Sequence, residues 1–237
     1  MSADVTVLVS NWRLQSAPDR GRFRWLLGGR RRRAVKLARR HNPDVILAQE
    51  LDEVMIPYVA AKLGMAVVKP TAGNRPVLYR PEVFTLEATN WADLGGRSFA
   101  HAALLDASGA RAWYVSVHLS TDAALRDRQK KALSAFVASL GASAPVVLGG
   151  DFNSASASIS GLLDVRGLVP TVGNRTANSL HGWGTQRYES RWIDWLLVSP
   201  RTVAARWLDL ILTSPEDEAD HNWLLAGLTI TSATDTR

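Results

Sequence analysis

The chain contains no cysteine, which removes disulfides, thiolate zinc sites and cysteine nucleophiles together. No run approaches the ~18 consecutive apolar residues of a membrane span. The N-terminus, MSADVTVLVSNW, has an acid where a signal peptide carries basic residues, and its apolar run is short. We therefore expect a cytoplasmic protein without stable membrane association, and we expect it to be a monomer. Acidic residues are the scarcer sign, 22 against 28 Lys and Arg, for a formal charge of +6. That balance favours an anionic partner such as nucleic acid or a phospholipid surface, although an Ala- and Arg-rich composition produces it as well.

Hydrophobic residues make up 46% and charged residues 21% of the 237, which excludes a disordered chain. Apolar runs of strand length recur between turn signals: VTVLVS, DVILAQE, MAVVKP, PVLYR, FAHAALLD, AWYVSVHLS, PVVLGG, WIDWLLVS and WLLAGLTI. Helical patterns interrupt them over 30–41, 53–63 and 121–140, the last introduced by Ser120-Thr121-Asp122. The order mixes β-α-β stretches with strand-to-strand runs. It predicts mixed sheets covered by helices rather than a doubly wound parallel sheet. No stretch reads as a linker, so one domain is expected over 1–237. The polar segment 173–188 reads as a surface loop near the site.

In VVLGGDFNS a buried strand gives way to two glycines, then to Asp151 and Asn153. Side chains at i and i+2 of an extended segment point the same way, so both groups are expected to reach one point. The bland alternative is a turn, since Asp and Asn commonly bond the local backbone after strands. The pattern recurs elsewhere. Asn11 ends VTVLVSN, Glu50 ends DVILAQE, His118 closes AWYVSVH, Asp194 lies between tryptophans in WIDW, and Asp220-His221 precede the last strand. Singly, each has a structural explanation. Together they supply what phosphodiester hydrolysis at a hard divalent cation requires: oxygen ligands, a carboxylate to aim water, and imidazoles to meet developing charge.

At this point the chain resembles the endonuclease/exonuclease/phosphatase superfamily, through SNW, NPDVILAQE, VLYR, VSVHLS, RDRQKKAL, VVLGGDFNS, WIDWLLVSP and ADHNWLL. The resemblance implies a four-layer α/β sandwich, two mixed β-sheets packed face to face with helices outside. It implies a Mg²⁺ cofactor, with Mn²⁺ as a substitute, at Glu50, Asn11 and Asp220. It further implies that Asp151 orients or deprotonates water and that Asn153 holds that water and the phosphate. His221 would contact the phosphate with Asp194 as its carboxylate partner, and His118 would be a second phosphate-contacting imidazole. Many relatives have Ser where this chain has Ala219. His41 and His101 read as structural, and His181 as a candidate loop contact.

The block GGRRRRAVKLARRH stacks like charges, Arg30 with Arg33 and Lys36 with Arg40, at helical spacing. A phosphate backbone relieves that repulsion, and so does solvent. We assign Arg30, Arg32 and Arg33 to substrate binding, with Trp183 and Trp12 as cleft-lining rings. Trp113, Trp192 and Trp195 read as core. The leading expectation is a Mg²⁺-dependent nuclease. The alternatives are a superfamily phosphatase or phospholipase acting on inositol phosphates, nucleotides or sphingomyelin, and a catalytically inactive binding module of the same fold.

Overall fold

A computed structural model describes residues 2–12, 24–68, 74–94, 98–168, 179–180, 192–213 and 219–231. The chain runs β1 (Ser2–Asn11), α1 (Arg24–His41), β2 (Val45–Gln49), α2 (Met55–Leu63), β3 (Ala66–Val68), β4 (Val77–Tyr79), β5 (Phe84–Asp93) and β6 (Ser98–Asp106). It continues with β7 (Arg111–His118), α3 (Ala123–Ser139), β8 (Val146–Asp151), β9 (Leu163–Asp164), β10 (Asp194–Val198), β11 (Val203–Ile211) and β12 (Trp223–Thr231). The first sheet has the order β11-β12-β1-β2-β4-β3 and the second β5-β6-β7-β8-β10-β9. Each sheet has one parallel pair, β1 with β2 and β7 with β8, and antiparallel neighbours around it. The parallel pairs arise where a helix makes the crossover, α1 in one sheet and α3 in the other.

Both faces of the central strands are buried, which is why they read as continuous apolar runs. The period of two sorts them cleanly. Val5, Val7, Val9, Val45, Leu47, Val147, Leu196, Val198, Leu224 and Ala226 face the core between the sheets. Leu8, Ile46 and Leu225 face the opposite way, against Ala34, Val35 and Ala38 of α1 and Met55, Ile56 and Val59 of α2. On the far side of the second sheet, Val146, Leu148 and Leu197 pack with Leu133 and Val137 of α3. The layers are thus helix, sheet, sheet, helix, the expected sandwich. Among the described residues no helix is long and apolar enough to cross a membrane.

Three details depart from expectation. The helix expected over 30–41 begins six residues earlier, at Arg24. Three strands lie outside the apolar runs expected from the sequence, β5 (FTLEATNWAD), β9 (LD) and β11 (VAARWLDLI). All three lie at sheet edges, where polar residues are tolerated and the apolar pattern is diluted. Segment 173–188 falls mostly outside the described residues, yet Ser179 within it is fully buried and is not a surface-loop residue.

Candidate active site

The inter-sheet faces of the central strands turn polar at one end. Asn11 continues the register of Val5, Val7 and Val9; His118 that of Tyr114 and Ser116; Asp151 that of Val147 and Gly149; and Asp194 that of Leu196 and Val198. His118 is paired with Asp151, and Asp151 with Asp194, as direct cross-strand neighbours. The cluster is therefore the place where the apolar core between the sheets stops.

The glycines of VVLGGDFNS allow the sheets to meet there. A Cβ on Gly149 would lie 2.6 Å from Val9 Cγ2 and 2.9 Å from Leu47 Cδ1, both on the opposite sheet. On Gly150, at φ +151°, it would lie 1.9 Å from the Val117 carbonyl oxygen. Beside this contact, Gln49 spans the layers. It is buried, with Nε2 donating to the Leu47 carbonyl and to Ser116 Oγ, while Ser116 Oγ donates to the Ala48 carbonyl.

Asp151 Oδ2 is the focus of the cluster. Asn11 Nδ2 donates to it at 3.3 Å, His118 Nε2 lies at 3.5 Å and His221 Nε2 at 3.9 Å. The other oxygen, Oδ1, accepts from the Asn153 backbone N–H at 2.8 Å. Both readings of the sequence thus apply to one carboxylate: Oδ1 starts the turn and Oδ2 faces the site. The i, i+2 expectation fails for Asn153. β8 ends at Asp151, Asn153 adopts φ +48°, and its Nδ2 donates to the Leu119 carbonyl at 2.9 Å. Glu50 also has a left-handed backbone, φ +53°, an outlier for a residue of its size. Its Oε1 accepts from Asn11 Nδ2 at 3.3 Å.

His221 is placed from the other side. Its Nδ1 lies 2.8 Å from Asp194 Oδ2, which turns Nε2 toward Asp151. Ser179 holds the two segments together: its Oγ accepts from the backbone N–H of Ile193 and Asp194, and its carbonyl from Asn222 N–H. Burial alone would push His221 down, but the Asp194 charge and hydrogen bond, with Asp151 and Asp220, lift it to about 10. Burial and the Asp194 charge push Asp151 up to about 7, against the opposing pull of His221.

Two groups of ligand atoms lie within 4.8 Å of one another, Glu50 with His118 and Asp151, and Asp151 with Asp194 and His221. Asn11 bonds two of these carboxylates. Asp220 is buried next to His221, belongs to neither group, and its charge helps to lift His221. Ala219 is buried against the first sheet's outer core, where its methyl packs.

The substrate-binding expectations fare differently. Arg32 is exposed and Arg33 half-buried on α1, in the outer helix layer and not in the strand-end cluster. Arg30 lies in the same helix, with its side chain outside the described residues, as are Trp183 and His181. Trp12 is not a cleft ring. It is buried, stacks on Trp223 at 4.9 Å and donates Nε1 to Ser10 Oγ. Sequence reasoning missed Gln49, Ser116 and Ser179. For Gln49 a signal existed, an amide inside a strand otherwise buried throughout, since such a group must find partners. For Ser116 and Ser179 there was none, because their partners come from other elements.

Comparison with solved structures finds the same fold throughout. An endonuclease/exonuclease/phosphatase from Bacteroides vulgatus matches with a TM-score of 0.81 at 20% identity, over 96% of this chain and 99% of that one. A mannosyl-6-phosphatase from Bacteroides thetaiotaomicron matches at 0.78 and 16%, over 94% and 99%. TDP2 from D. rerio, complexed with a single-strand DNA product, matches at 0.78 and 15%, over 95% and 99%. A search of curated proteins by sequence returns no match. The family model described as Endonuclease/Exonuclease/phosphatase family matches residues 25–224. That span carries α1 through the start of β12, and with it every clustered group except Asn11; the chain belongs to the endonuclease/exonuclease/phosphatase family of phosphoester hydrolases.

Proposed function

We propose that the protein is a Mg²⁺-dependent phosphodiester hydrolase that cleaves nucleic acid and works as a single-domain monomer. The observation that carries the chemistry is the convergence of Asn11, His118 and His221 on Asp151 Oδ2. The residues fit a hard cation. Glu50 and Asp151 offer oxygens, and burial together with the Asp194 charge raises Asp151 to about 7, which a neighbouring cation would offset. Glu50 and Asn11 would hold the ion, with Asp220 the further acid of the set and Mn²⁺ a substitute. When bound, it would polarise the phosphoryl group and stabilise the leaving oxygen.

The chain's own groups do the rest. Asp151 Oδ2 takes the proton of the attacking water while its other oxygen stays anchored to the Asn153 N–H. His221, held as the imidazolium by Asp194, presents Nε2–H to the phosphoryl oxygens, and His118 presents a second ring nitrogen. Asn153 acts through Asp151, whose Oδ1 its backbone N–H holds, while its side-chain amide is engaged by the Leu119 carbonyl. Water adds to phosphorus, the P–O ester bond breaks, the departing alkoxide takes a proton from solvent to become the alcohol, and a phosphate monoester is left, with the water's proton on Asp151 released to solvent.

Nucleic acid is supported by the charge of +6 and by the likeness to a TDP2 structure holding single-strand DNA product. The equally close likeness to a mannosyl-6-phosphatase supports a second reading, hydrolysis of a small sugar phosphate. The test is an assay panel of single-stranded, duplex and abasic DNA, RNA, sugar phosphates, phosphoinositides and sphingomyelin. We expect nucleic-acid cleavage that EDTA stops and Mg²⁺ or Mn²⁺ restores, with Glu50→Gln raising the Mg²⁺ needed for half activity. Full activity in EDTA would remove the metal from the mechanism. Turnover of sugar phosphate alone would establish the second reading.

A further inference from the structure

On the outer face of the first sheet, α1 and α2 enclose a groove of about 390 Å³ lined by Arg32, Val35, Lys36, Arg39, Tyr58 and Lys62. The cations of α1 fall at i, i+4 and i+7, so they form one stripe, and Tyr58 and Lys62 face it at i, i+4 on α2. Among the described residues lining the groove none is acidic. Lys36 has Arg32 and Arg40 four residues away on either side, an arrangement that is destabilising on a bare helix. Arg39 donates from Nη2 to the Lys62 carbonyl, which ties the end of α2 to α1 and fixes the walls.

The groove is separate from the catalytic cluster. Ala66, just beyond α2, pairs with Tyr79, and Tyr79 pairs with Val45 at the start of β2. Lys62 and Arg39 therefore lie where β2 begins, whereas Asn11 and Glu50 lie where it ends, about 17 Å away at ~3.3 Å per residue. Arg32 is seven residues back along α1, about 10 Å nearer the catalytic end at ~1.5 Å per residue. The cations make a track leading from the outer helix layer toward the catalytic end.

We propose that this track is a second binding surface for the phosphodiester backbone of a nucleic-acid strand, engaged by substrate that extends beyond the cleavage site. The inference rests on the nucleic-acid reading above. Regularly spaced phosphates meet a row of point charges without any reading of bases, and Tyr58 adds a ring on which a base can stack. A small phosphate held at Asp151 does not reach the groove, so the track favours long strands. Of the two expected arginines whose side chains are described, Arg32 lines it and Arg33 does not. Lys62 joins from a different helix.

The test measures binding in a full-length Asp151→Asn background, using single-stranded DNA of about six and about forty nucleotides over a range of salt. We expect the long strand to bind more tightly. Lys36→Gln with Lys62→Gln should weaken long-strand binding about three- to tenfold and lower the slope of log K against log salt by about 1.4, at ~0.7 per lost contact. Gln keeps helix propensity close to that of Lys, and the melting temperature checks folding. Lys36→Glu alone, at an exposed position, should act in the same direction if the double variant folds poorly. Unchanged long-strand affinity and slope in a folded variant would overturn the inference. Short strands bound as tightly as long ones would overturn it while leaving the nucleic-acid reading intact. Failure of the parent to bind either strand would remove both.

Discussion

His101 lies in β6 among the rings of Phe99, Trp113 and Phe136, with centroids 5.6, 5.5 and 4.6 Å away. His221 lies at the strand-end cluster with Nδ1 2.8 Å from Asp194 Oδ2 and Nε2 3.9 Å from Asp151 Oδ2. Both imidazoles are buried. Burial pushes His101 down to about 4, and among the described residues its Nδ1 has no hydrogen-bond partner. At His221 the same burial is overcome by the Asp194 charge and hydrogen bond and by Asp151 and Asp220, which lift it to about 10. One ring is neutral at pH 7 and packs as an aromatic; the other is a cation fixed in orientation. Depth of burial does not separate a structural histidine from a functional one. The charge built around it does.

Removing that charge should give the largest effect. His221→Ala should lower turnover by about 10²–10⁴-fold, the usual range for a positioned acid or base. Asp194→Asn should leave burial unopposed at His221, so its pKa falls well below about 10 and the alkaline fall of the pH–rate profile moves to lower pH. Because the pair acts as one unit, the losses in the double variant should be far from additive. Additive losses with an unmoved profile would mean that Asp194 does not act through His221.

The converse concerns His101, through stability. Its folded pKa of about 4 lies below the unfolded value of 6.5, so the unfolded chain binds the proton first as the pH falls. Its contribution is therefore fully present above about pH 6.5 and is lost down to about pH 4, by as much as about 3 kcal/mol. His101→Phe keeps a ring among rings and should flatten that part of the stability curve in denaturant melts. If the acid limb survives the substitution, His101 is not its source.

A smaller effect is expected at the support beneath the catalytic pair. Ser179→Ala leaves the Ile193 and Asp194 N–H groups without their Oγ acceptor, at about 1–3 kcal/mol of stability for buried donors. Activity should fall with it as Asp194 loosens against His221. An equal loss of stability with turnover and pH profile unchanged would reduce Ser179 to scaffolding and narrow the comparison to the two carboxylates.

The sequence by itself determined the apolar central strands, three helices, and the chemistry collected at strand ends, because burial on both faces and a period of two leave strong local signals. Asn11, Glu50, His118, Asp151, Asp194 and His221 were legible for the same reason, each interrupting an apolar run or abutting one. Local signals failed where context ruled. The edge strands β5 and β11 hold by pairing rather than by an apolar pattern, and Asn153 leaves the strand register because a turn begins at Asp151. Trp12 goes to the core because Trp223, which follows it by nearly the whole length of the chain, lies beside it. Only the tertiary structure decided which groups share a point. Gly149 could be read as a bend until Val9 and Leu47 of the other sheet stood against it, and Arg32 acquired Lys62 as a neighbour only when α2 packed on α1. Side-chain type is written along the chain, but electrostatic work falls off with distance in space, and those distances are set by how the layers pack.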